Sequence, residues 1–251
     1  MYYLTFPLEK DIKNLSEQEI LNALKLQKTR FYTFNNFYMQ GIQAGIQAKH
    51  SSDELVTKFI FNKQHNRTNM NTTQLLKTVY EKDKTAILLN GGGHGDLVRL
   101  TEFFDGLDNN IYPYASFREE EEALNNAMTS VTAVFPELIF SNDCLKGMVN
   151  SFLRENRLED TTFENFVKIT DSLKWKVTLD DDDVLKFTDY FSDTTFSKIT
   201  NILNQDNNNF NTDNIYFFIR KDKEKETKDI FFFNETDFLI AKKLLNYRLM
   251  T

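Results

Sequence analysis

Residues 39–54 carry polar side chains at the spacing of one helix face. The polar positions follow one another at intervals of four, three and four residues: Gln43, Gln47, His50 and Glu54. In an α-helix, residues three and four apart are neighbours, so these groups share one surface. A histidine exchanges a proton near neutral pH, and a glutamine beside it can orient the ring or hold a polar ligand. The same spacing is also typical of a solvated helix face that packs on a sheet.

The same stretch has a second row that consists only of small residues: Gly41, Gly45, Ala48 and Ser52. A glycine inside a helix costs about 1 kcal/mol relative to alanine. Two glycines four residues apart therefore indicate that another group approaches the helix backbone closely. We expect that group to be a neighbouring strand or a ligand.

A glycine-rich segment, residues 90–96, is the second candidate site. It reads Asn-Gly-Gly-Gly-His-Gly-Asp and holds four of the eight glycines in the chain. A strand that ends in glycines and leads into a helix can point backbone N–H groups and the positive helix end at a phosphate. The segment matches neither a Walker loop nor a dinucleotide fingerprint, and an ordinary strand-to-helix turn is the alternative. His94 can bond a phosphate, a ribose or a base, and Arg99 can add positive charge.

The segments that must position these residues alternate between strand and helix patterns. An aromatic run predicts a strand over 31–34, and a helix is predicted over 38–61. After a polar loop over 62–71, a second helix over 72–82 leads to a buried strand over 85–89 and so to the glycine-rich segment.

Two more strands complete the predicted sheet, over 112–117 and 130–135, with the acidic run 119–122 and a short helix between them. We expect Asp96 to cap a helix over 97–104. This alternation predicts an α/β domain with a mixed four-stranded sheet flanked by helices.

The remaining segments are predicted to form an N-terminal helical segment and a C-terminal extension. Ser16 and Glu19 form a capping box that opens a helix through Leu26. The predicted elements of the extension are helices over 142–157, 162–173 and 195–204, a Phe-rich hairpin over 215–219 and 230–233, and a helix over 235–249. We therefore divide the chain into 1–28, 29–140 and 141–251, the last being an α+β extension. The hairpin aromatics need a cover, which the last helix or another subunit in a homo-oligomer could supply.

The region 29–140 resembles the type II (archaeal and eukaryotic) peptidyl-tRNA hydrolases. That family carries G-K-x-A-A-Q-x-x-H on the helix after its first strand, and residues 42–50 here read I-Q-A-G-I-Q-A-K-H. Gln47 and His50 match, whereas Gln43 stands where the family has its active-site lysine. The acidic segment 117–123 replaces the family's D-A-G-x-T-Q, and the later T-S-V-T-A-V-F-P resembles its last strand. The resemblance implies the family's α/β core and cleft; in a hydrolase, His50 would transfer the proton and Gln47 would position it.

Composition limits the partners and cofactors. A net charge of −7 argues against a broad nucleic-acid-binding surface, although a local basic cleft is compatible with it. A lone cysteine, Cys144, and three histidines without paired spacing predict no metal and no cofactor. No apolar run approaches the length of a membrane span and no leader pattern precedes the first helix, so we expect a cytoplasmic protein without a membrane partner.

Three functions are compatible with these patterns. The first is a protein that binds a small nucleotide without turnover. The Phe-, Asn- and Lys-rich composition suggests an AT-rich genome, such as that of a low-GC bacterium or one of its phages. By analogy with phage proteins that sequester nucleotide immune signals, we expect such a protein to hold a signal of the host. Its candidate ligand-binding residues are Gln43, Gln47, His50, Asn90, Gly91, Gly92, Gly93, His94, Gly95, Asp96 and Arg99. The second is a hydrolase that cleaves the ester of peptidyl-tRNA or a related acyl-RNA, with tRNA as partner. The third is a structural or partner-binding protein that acts through the Phe-rich hairpin.

Overall fold

The structure, a computed structural model, describes residues 2–61, 75–107, 112–140, 191–205, 216–233, 235–244 and 247–250. The chain forms two units. Met1–Gln27 and Leu138–Asn246 form the first, which we name the antiparallel unit, and Lys28–Glu137 and Tyr247–Thr251 form the second, which we name the mixed-sheet unit. The predicted helices over 142–157 and 162–173 lie outside the described residues.

The antiparallel unit is built on a four-stranded sheet with the order β2-β1-β8-β7. Its elements are β1 (Tyr2–Pro7), α1 (Glu17–Ala23), β2 (Leu24–Leu26), α5 (Asp193–Gln205), β7 (Tyr216–Asp222), β8 (Thr227–Phe233) and α6 (Glu235–Leu244). The capping box at Ser16 and Glu19 opens α1 as predicted. The prediction of a helix through Leu26 was wrong, because α1 ends at Ala23 and the next three residues pair with β1. The N-terminal segment is thus part of a sheet whose central strands are β1 and β8.

Four aromatic side chains of β7 and β8 are covered by their own chain. Phe217, Phe231, Phe232 and Phe233 are each at most 1% exposed. Phe217 and Phe232 belong to a core that also includes residues of β1, α1 and α5. These four side chains therefore need no second subunit to remove them from water.

The mixed-sheet unit is built on the sheet that holds both candidate sites, with the order β4-β3-β6-β5. Its elements are β3 (Thr29–Asn35), α2 (Ile42–Val56), β4 (Ala86–Asn90), α3 (His94–Asp105), β5 (Tyr114–Arg118), α4 (Glu121–Leu124) and β6 (Met128–Pro136). β3 and β4 are parallel, and β6 runs antiparallel to both β3 and β5. The predicted mixed four-stranded sheet within a mixed α/β fold is confirmed. None of the helices that the structure describes is both long and apolar enough to cross a bilayer.

The two faces of this sheet differ in polarity and carry different helices. On one face, the hydroxyl of Thr132 in β6 contacts Ser51 of α2. On the other face, Phe34 and Phe135 pack against Phe104 of α3. Since alternate residues of a strand point to opposite faces, α2 covers a polar face and α3 an aromatic one.

Two element boundaries in this unit, and that of the last helix of the antiparallel unit, differ from the predictions. The helix over 38–61 is shorter, because α2 begins at Ile42 and passes into a π-helical turn at Thr57–Phe61. Asp96 is not the residue that precedes the helix: α3 begins at His94, and Asp96 lies in its first turn. The helix predicted over 235–249 ends at Leu244, and the later Leu249 forms a β-bridge with Leu89. That bridge occupies backbone groups that the edge strand β4 would otherwise expose.

Candidate functional site

The carboxyl ends of three strands meet at one edge of the mixed sheet. β3, β4 and β5 are mutually parallel and end at Asn35, Asn90 and Arg118. The helices that follow β3 and β4 pass to opposite faces. In open α/β sheets this divergence leaves a crevice outside the strand ends, which is where ligands commonly bind. We name this region the carboxyl edge.

Asn35, the last residue of β3, is the most unusual side chain at the carboxyl edge. It is 0% exposed, and neither its Oδ1 nor its Nδ2 has a hydrogen-bond partner among the described residues. In the sheet it lies between Asn90 of β4 and Ser130 of β6. A buried polar group without a partner costs about 1–3 kcal/mol. Such unpaired buried amides are uncommon in folded proteins, and this one lies at a strand terminus, so it is a candidate contact for a polar ligand.

The glycine-rich segment is held by short backbone contacts, and these explain two of its glycines. Gly91 donates its N–H to the carbonyl of Asn35 at 2.7 Å, and a Cβ there would lie 2.5 Å from Leu97 Cδ2. Gly92 has φ +80° and donates to Asn90 Oδ1 at 3.0 Å. A side chain at either position would force the turn to move, so these glycines serve close packing and a left-handed turn.

Asp96 supplies the negative charge that the first turn of α3 favours. Its Oδ2 accepts the N–H of Gly93 at 2.9 Å, and its Oδ1 accepts Arg99 Nη2 at 2.6 Å. The Gly93 N–H and the Arg99 guanidinium lower the pKa of the Asp96 carboxyl, so it is ionised at neutral pH. Two groups predicted to meet a ligand phosphate, the Gly93 amide and Arg99, are therefore already bonded to a carboxylate. A ligand at this turn meets a net neutral pair.

His94 joins the glycine-rich segment to the start of β6. Its Nδ1 accepts the N–H of Met128 at 2.9 Å, which leaves Nε2–H as the donor of the neutral ring. The segment is also joined to the chain before α2, because the carbonyl of Gly92 accepts the N–H of Phe37 at 2.9 Å. His94, Gly95, Asp96 and Arg99 are all exposed. The glycine-rich segment is thus held by hydrogen bonds on one side, while these four residues face solvent.

Two exposed aromatic rings lie beside the glycine-rich segment. Phe37 is 43% and Tyr38 75% exposed, and their ring centroids are 3.9 Å apart. A Cβ built on Gly93 would lie 3.5 Å from Phe37 Cε1, so this ring borders the turn. Exposed aromatic surface next to unpaired polar groups is typical of sites that bind planar ligands.

Gln47 forms a hydrogen-bonded bridge across the sheet and is 7% exposed. Its Nε2 donates to Glu119 Oε1 at 2.6 Å, and its Oε1 accepts the hydroxyl of Thr129 at 2.7 Å. Its carbonyl also accepts the hydroxyl of Ser130 at 2.7 Å. Since donor and acceptor of the amide are both engaged, Gln47 holds α2 on the sheet in this structure.

The remaining candidates on α2 are exposed. His50 stacks on Phe117 of β5, with ring centroids 4.5 Å apart and planes 22° from parallel. Gln43 is also exposed. The predicted close approach of a strand to Gly41 and Gly45 was wrong within the described chain, since a Cβ at either would meet nothing within 4 Å. Gly41 instead has φ +54° where the chain enters α2. Access of a ligand to this side of α2 stays a prediction.

The start of β6 is the common anchor of the site, and no sequence pattern predicted this role. Met128 bonds His94, and Thr129 bonds both the Gln47 side chain and the N–H of Asn36. Asn35 was likewise missed as a site residue, because the strand was predicted to end one residue earlier, at residue 34. The pair of asparagines directly after a buried strand was the available signal.

No metal site emerges in the part of the chain that the structure describes, where no three His, Cys, Asp or Glu side chains converge. Comparison with protein-family models, with curated proteins and with solved structures finds no match to this chain. The functional argument therefore depends on the geometry of the carboxyl edge.

Proposed function

We propose that the mixed-sheet unit binds a small nucleotide-type ligand at the carboxyl edge and releases it unchanged. The observation that carries the proposal is the buried amide of Asn35, which has no partner for its donor or its acceptor. An asparagine amide offers an N–H donor and a carbonyl acceptor side by side, the pattern that pairs with the edge of a nucleobase.

The neighbouring groups suit the other parts of a nucleoside. The rings of Phe37 and Tyr38 can stack on a base, and base–aromatic stacking contributes about 1–3 kcal/mol per base in nucleic-acid complexes. His94 Nε2–H and the polar turn at Gly92 and Gly93 can contact the ribose. Since Arg99 is paired with Asp96, we expect base and ribose contacts to contribute more to affinity than phosphate contacts.

Asn35 is fully covered in this structure, so ligand binding requires local opening at the carboxyl edge. The chain that follows Asn35 contains three of the exposed large apolar side chains, Phe37, Tyr38 and Ile42. Burying part of this apolar surface against the ligand would offset the free energy of opening. A ligand that pairs with Asn35 also removes the penalty of its unpaired amide.

Binding without turnover is supported by the contacts that Gln47 and His50 make. Gln47 would have to give up Glu119 or Thr129 to position a reacting group. His50 stacks on Phe117 and has no described hydrogen bond to Gln47 that would orient its ring. We also propose a distant relationship to the type II peptidyl-tRNA hydrolases, supported by the strand–helix unit of β3 and α2 and by Gln47 and His50 on that helix. In a phage setting, such a protein would sequester a nucleotide signal of the host.

A partner-binding role for the Phe-rich hairpin has less support. The three phenylalanines at the C-terminal end of β8 are buried within the antiparallel unit and offer no apolar surface. Self-association through this region would have to use other side chains.

The test is thermal unfolding of the full chain with mononucleotides, cyclic nucleotides, ADP-ribose and deacylated tRNA, followed by chromatography of each mixture. A ligand at ~100 times its dissociation constant stabilises by ~2.7 kcal/mol, roughly 5 to 10 °C in Tm for a chain of this size. A nucleotide that raises Tm and is recovered intact supports the proposal. A cleaved product, or a shift with tRNA alone, would restore the hydrolase alternative.

Two matched variants test whether the ligand binds at the carboxyl edge. Asn35→Leu replaces an unpaired amide with an apolar group of similar shape, so we expect the free protein to gain about 1–3 kcal/mol and to lose the nucleotide shift. Gln27→Met is the control, because Gln27 in the antiparallel unit is also buried with both amide atoms unpaired among the described residues. It should stabilise the free protein similarly and keep the shift. If Asn35→Leu keeps the full shift, the carboxyl edge is not the site.

A further inference from the structure

The antiparallel unit contains a cavity of about 560 Å³ beside the hairpin of β7 and β8. One wall is the turn after β1, residues 8–13, and the other is formed by the hairpin around residues 219–228. Both walls belong to the same unit. Small-molecule sites typically have volumes of about 300–1,000 Å³, so the cavity is large enough for one small ligand. We name it the lysine pocket.

The lysine pocket concentrates positive charge in a protein whose net charge is −7. Its lining includes five lysines: Lys10, Lys13, Lys221, Lys223 and Lys228. Two carboxylates, Glu9 and Asp11, also line it and would weaken the binding of an anion. Lys10 is paired with Glu19 at 2.5 Å. The lining is therefore net positive, and the other four lysines have no described ion pair.

Two of the lysines face each other directly across the hairpin. Lys221 of β7 is the register partner of Lys228 of β8. Like charges at directly opposite positions destabilise a sheet, typically by a few tenths of a kcal/mol to 1 kcal/mol. Burial and then the charge of Lys221 lower the pKa of Lys228, whose Nζ donates to the carbonyl of Lys10 at 2.5 Å. The two ammonium groups of Lys221 and Lys228 therefore repel each other, and a bound anion would reduce that repulsion.

The hairpin also contains a lysine that is neutralised. Lys225, in the turn, bonds Asp222 at 2.7 Å and does not line the cavity. Asp229, which follows Lys228 in β8, is bonded to Arg220 and Thr5. Asp222 and Asp229 of the hairpin are thus occupied by other partners, and Lys13, Lys221 and Lys223 have no described ion pair that a ligand would have to displace.

We propose that the lysine pocket binds a small, multiply charged phosphate compound. Several lysines around one cavity suit an anion whose charge is spread over more than one phosphate group, because each ammonium acts as a compact point charge. A cavity of this limited volume favours a small molecule over a nucleic-acid chain, which would need an extended basic stripe. This site is independent of the carboxyl edge and of the function proposed for it.

The test is calorimetric titration of the full chain with inorganic tripolyphosphate and with inorganic phosphate. Tripolyphosphate carries no base or ribose, so its binding should not change in the Asn35→Leu variant. We expect tripolyphosphate to bind at least tenfold more tightly than phosphate and to weaken as salt rises. Equal affinity for both probes, or no heat with tripolyphosphate at millimolar concentration, would overturn the proposal.

The variants Lys221→Gln and Lys225→Gln remove the same charge from the same hairpin. Lys221→Gln should weaken tripolyphosphate binding at least tenfold while Tm stays constant or rises, because it removes the repulsion with Lys228. Lys225→Gln should change affinity less than twofold. Equal losses in both variants would indicate unspecific attraction and contradict a defined pocket. A single-stranded RNA that binds more tightly than tripolyphosphate and depends on Lys221 would contradict the small-molecule assignment.

Discussion

Replacing Gln47 by alanine separates a structural bridge from a catalytic group. The variant removes a hydrogen bond to the Glu119 carboxylate, an interaction that contributes about 1.5–3 kcal/mol, and leaves the fully buried Thr129 hydroxyl without its acceptor, which costs about 1–3 kcal/mol. Because neighbouring groups of one network do not add fully, we expect a total loss of about 3 kcal/mol. The assay is guanidinium denaturation followed by circular dichroism, with separate transitions fitted where the two units unfold independently.

The matched control for this variant is Gln43→Ala, one turn earlier on the same helix. Gln43 is exposed, so its replacement should change the free energy of unfolding by no more than about 0.5 kcal/mol. If Gln47→Ala is as stable as Gln43→Ala, the bridge seen in the structure does not hold α2 on the sheet. A Gln47→Ala protein that keeps its stability but loses esterase activity would favour the hydrolase alternative.

Three further predictions concern the same framework. Gly91→Ala should destabilise by about 1–3 kcal/mol because its Cβ would collide with Leu97, whereas Gly45→Ala should stabilise by about 1 kcal/mol through helix propensity. A denaturation midpoint that rises in Gly91→Ala or falls in Gly45→Ala would contradict the corresponding prediction. Thr132→Val should cost about 1–3 kcal/mol in the same assay, because the buried hydroxyls of Ser51 and Thr33 lose their shared partner, the Thr132 hydroxyl, which lies 2.6 and 2.7 Å from them. A neutral effect would show that this chain of hydroxyls is not stabilising. The hydrogen bonds from Lys10 and Ser16 lower the pKa of Glu19 to about 2, below its ordinary 4.5. Glu19→Gln should therefore be less stable than the wild type at pH 6, and the difference should fade as pH falls toward 2. A difference in Tm that does not depend on pH would contradict this.

The strands and helices of the mixed-sheet unit could be predicted because each leaves a local pattern. The aromatic run before Asn35 and the glycines after Asn90 mark two strand ends that the structure places side by side. The strand β1 was missed, and one of its two partners, β8, lies more than 200 residues later in the chain. Pairing over such a distance leaves no periodic trace in one sequence.

The candidate site was predicted in part, and the reason lies in how α2 packs. Its buried positions are Ala44, Gln47, Ala48, Ser51 and Leu55, a stripe that is mostly small or polar. Hydrophobic periodicity cannot mark such a stripe, so Gln47 and His50 were placed together on an open face. The structure buries Gln47 and leaves His50 exposed on Phe117. The actual polar contacts of the sheet depend on Thr129 and Ser130, which belong to a strand far along the chain.

The most direct test of nucleotide binding at the carboxyl edge is a crystal structure of the protein with the nucleotide that raises Tm most. The account predicts ligand density at the end of β3, with the amide of Asn35 bonded to the base and Phe37 or Tyr38 against its face. Density that lies elsewhere, with the Asn35 amide still buried and unpaired, would contradict the central claim.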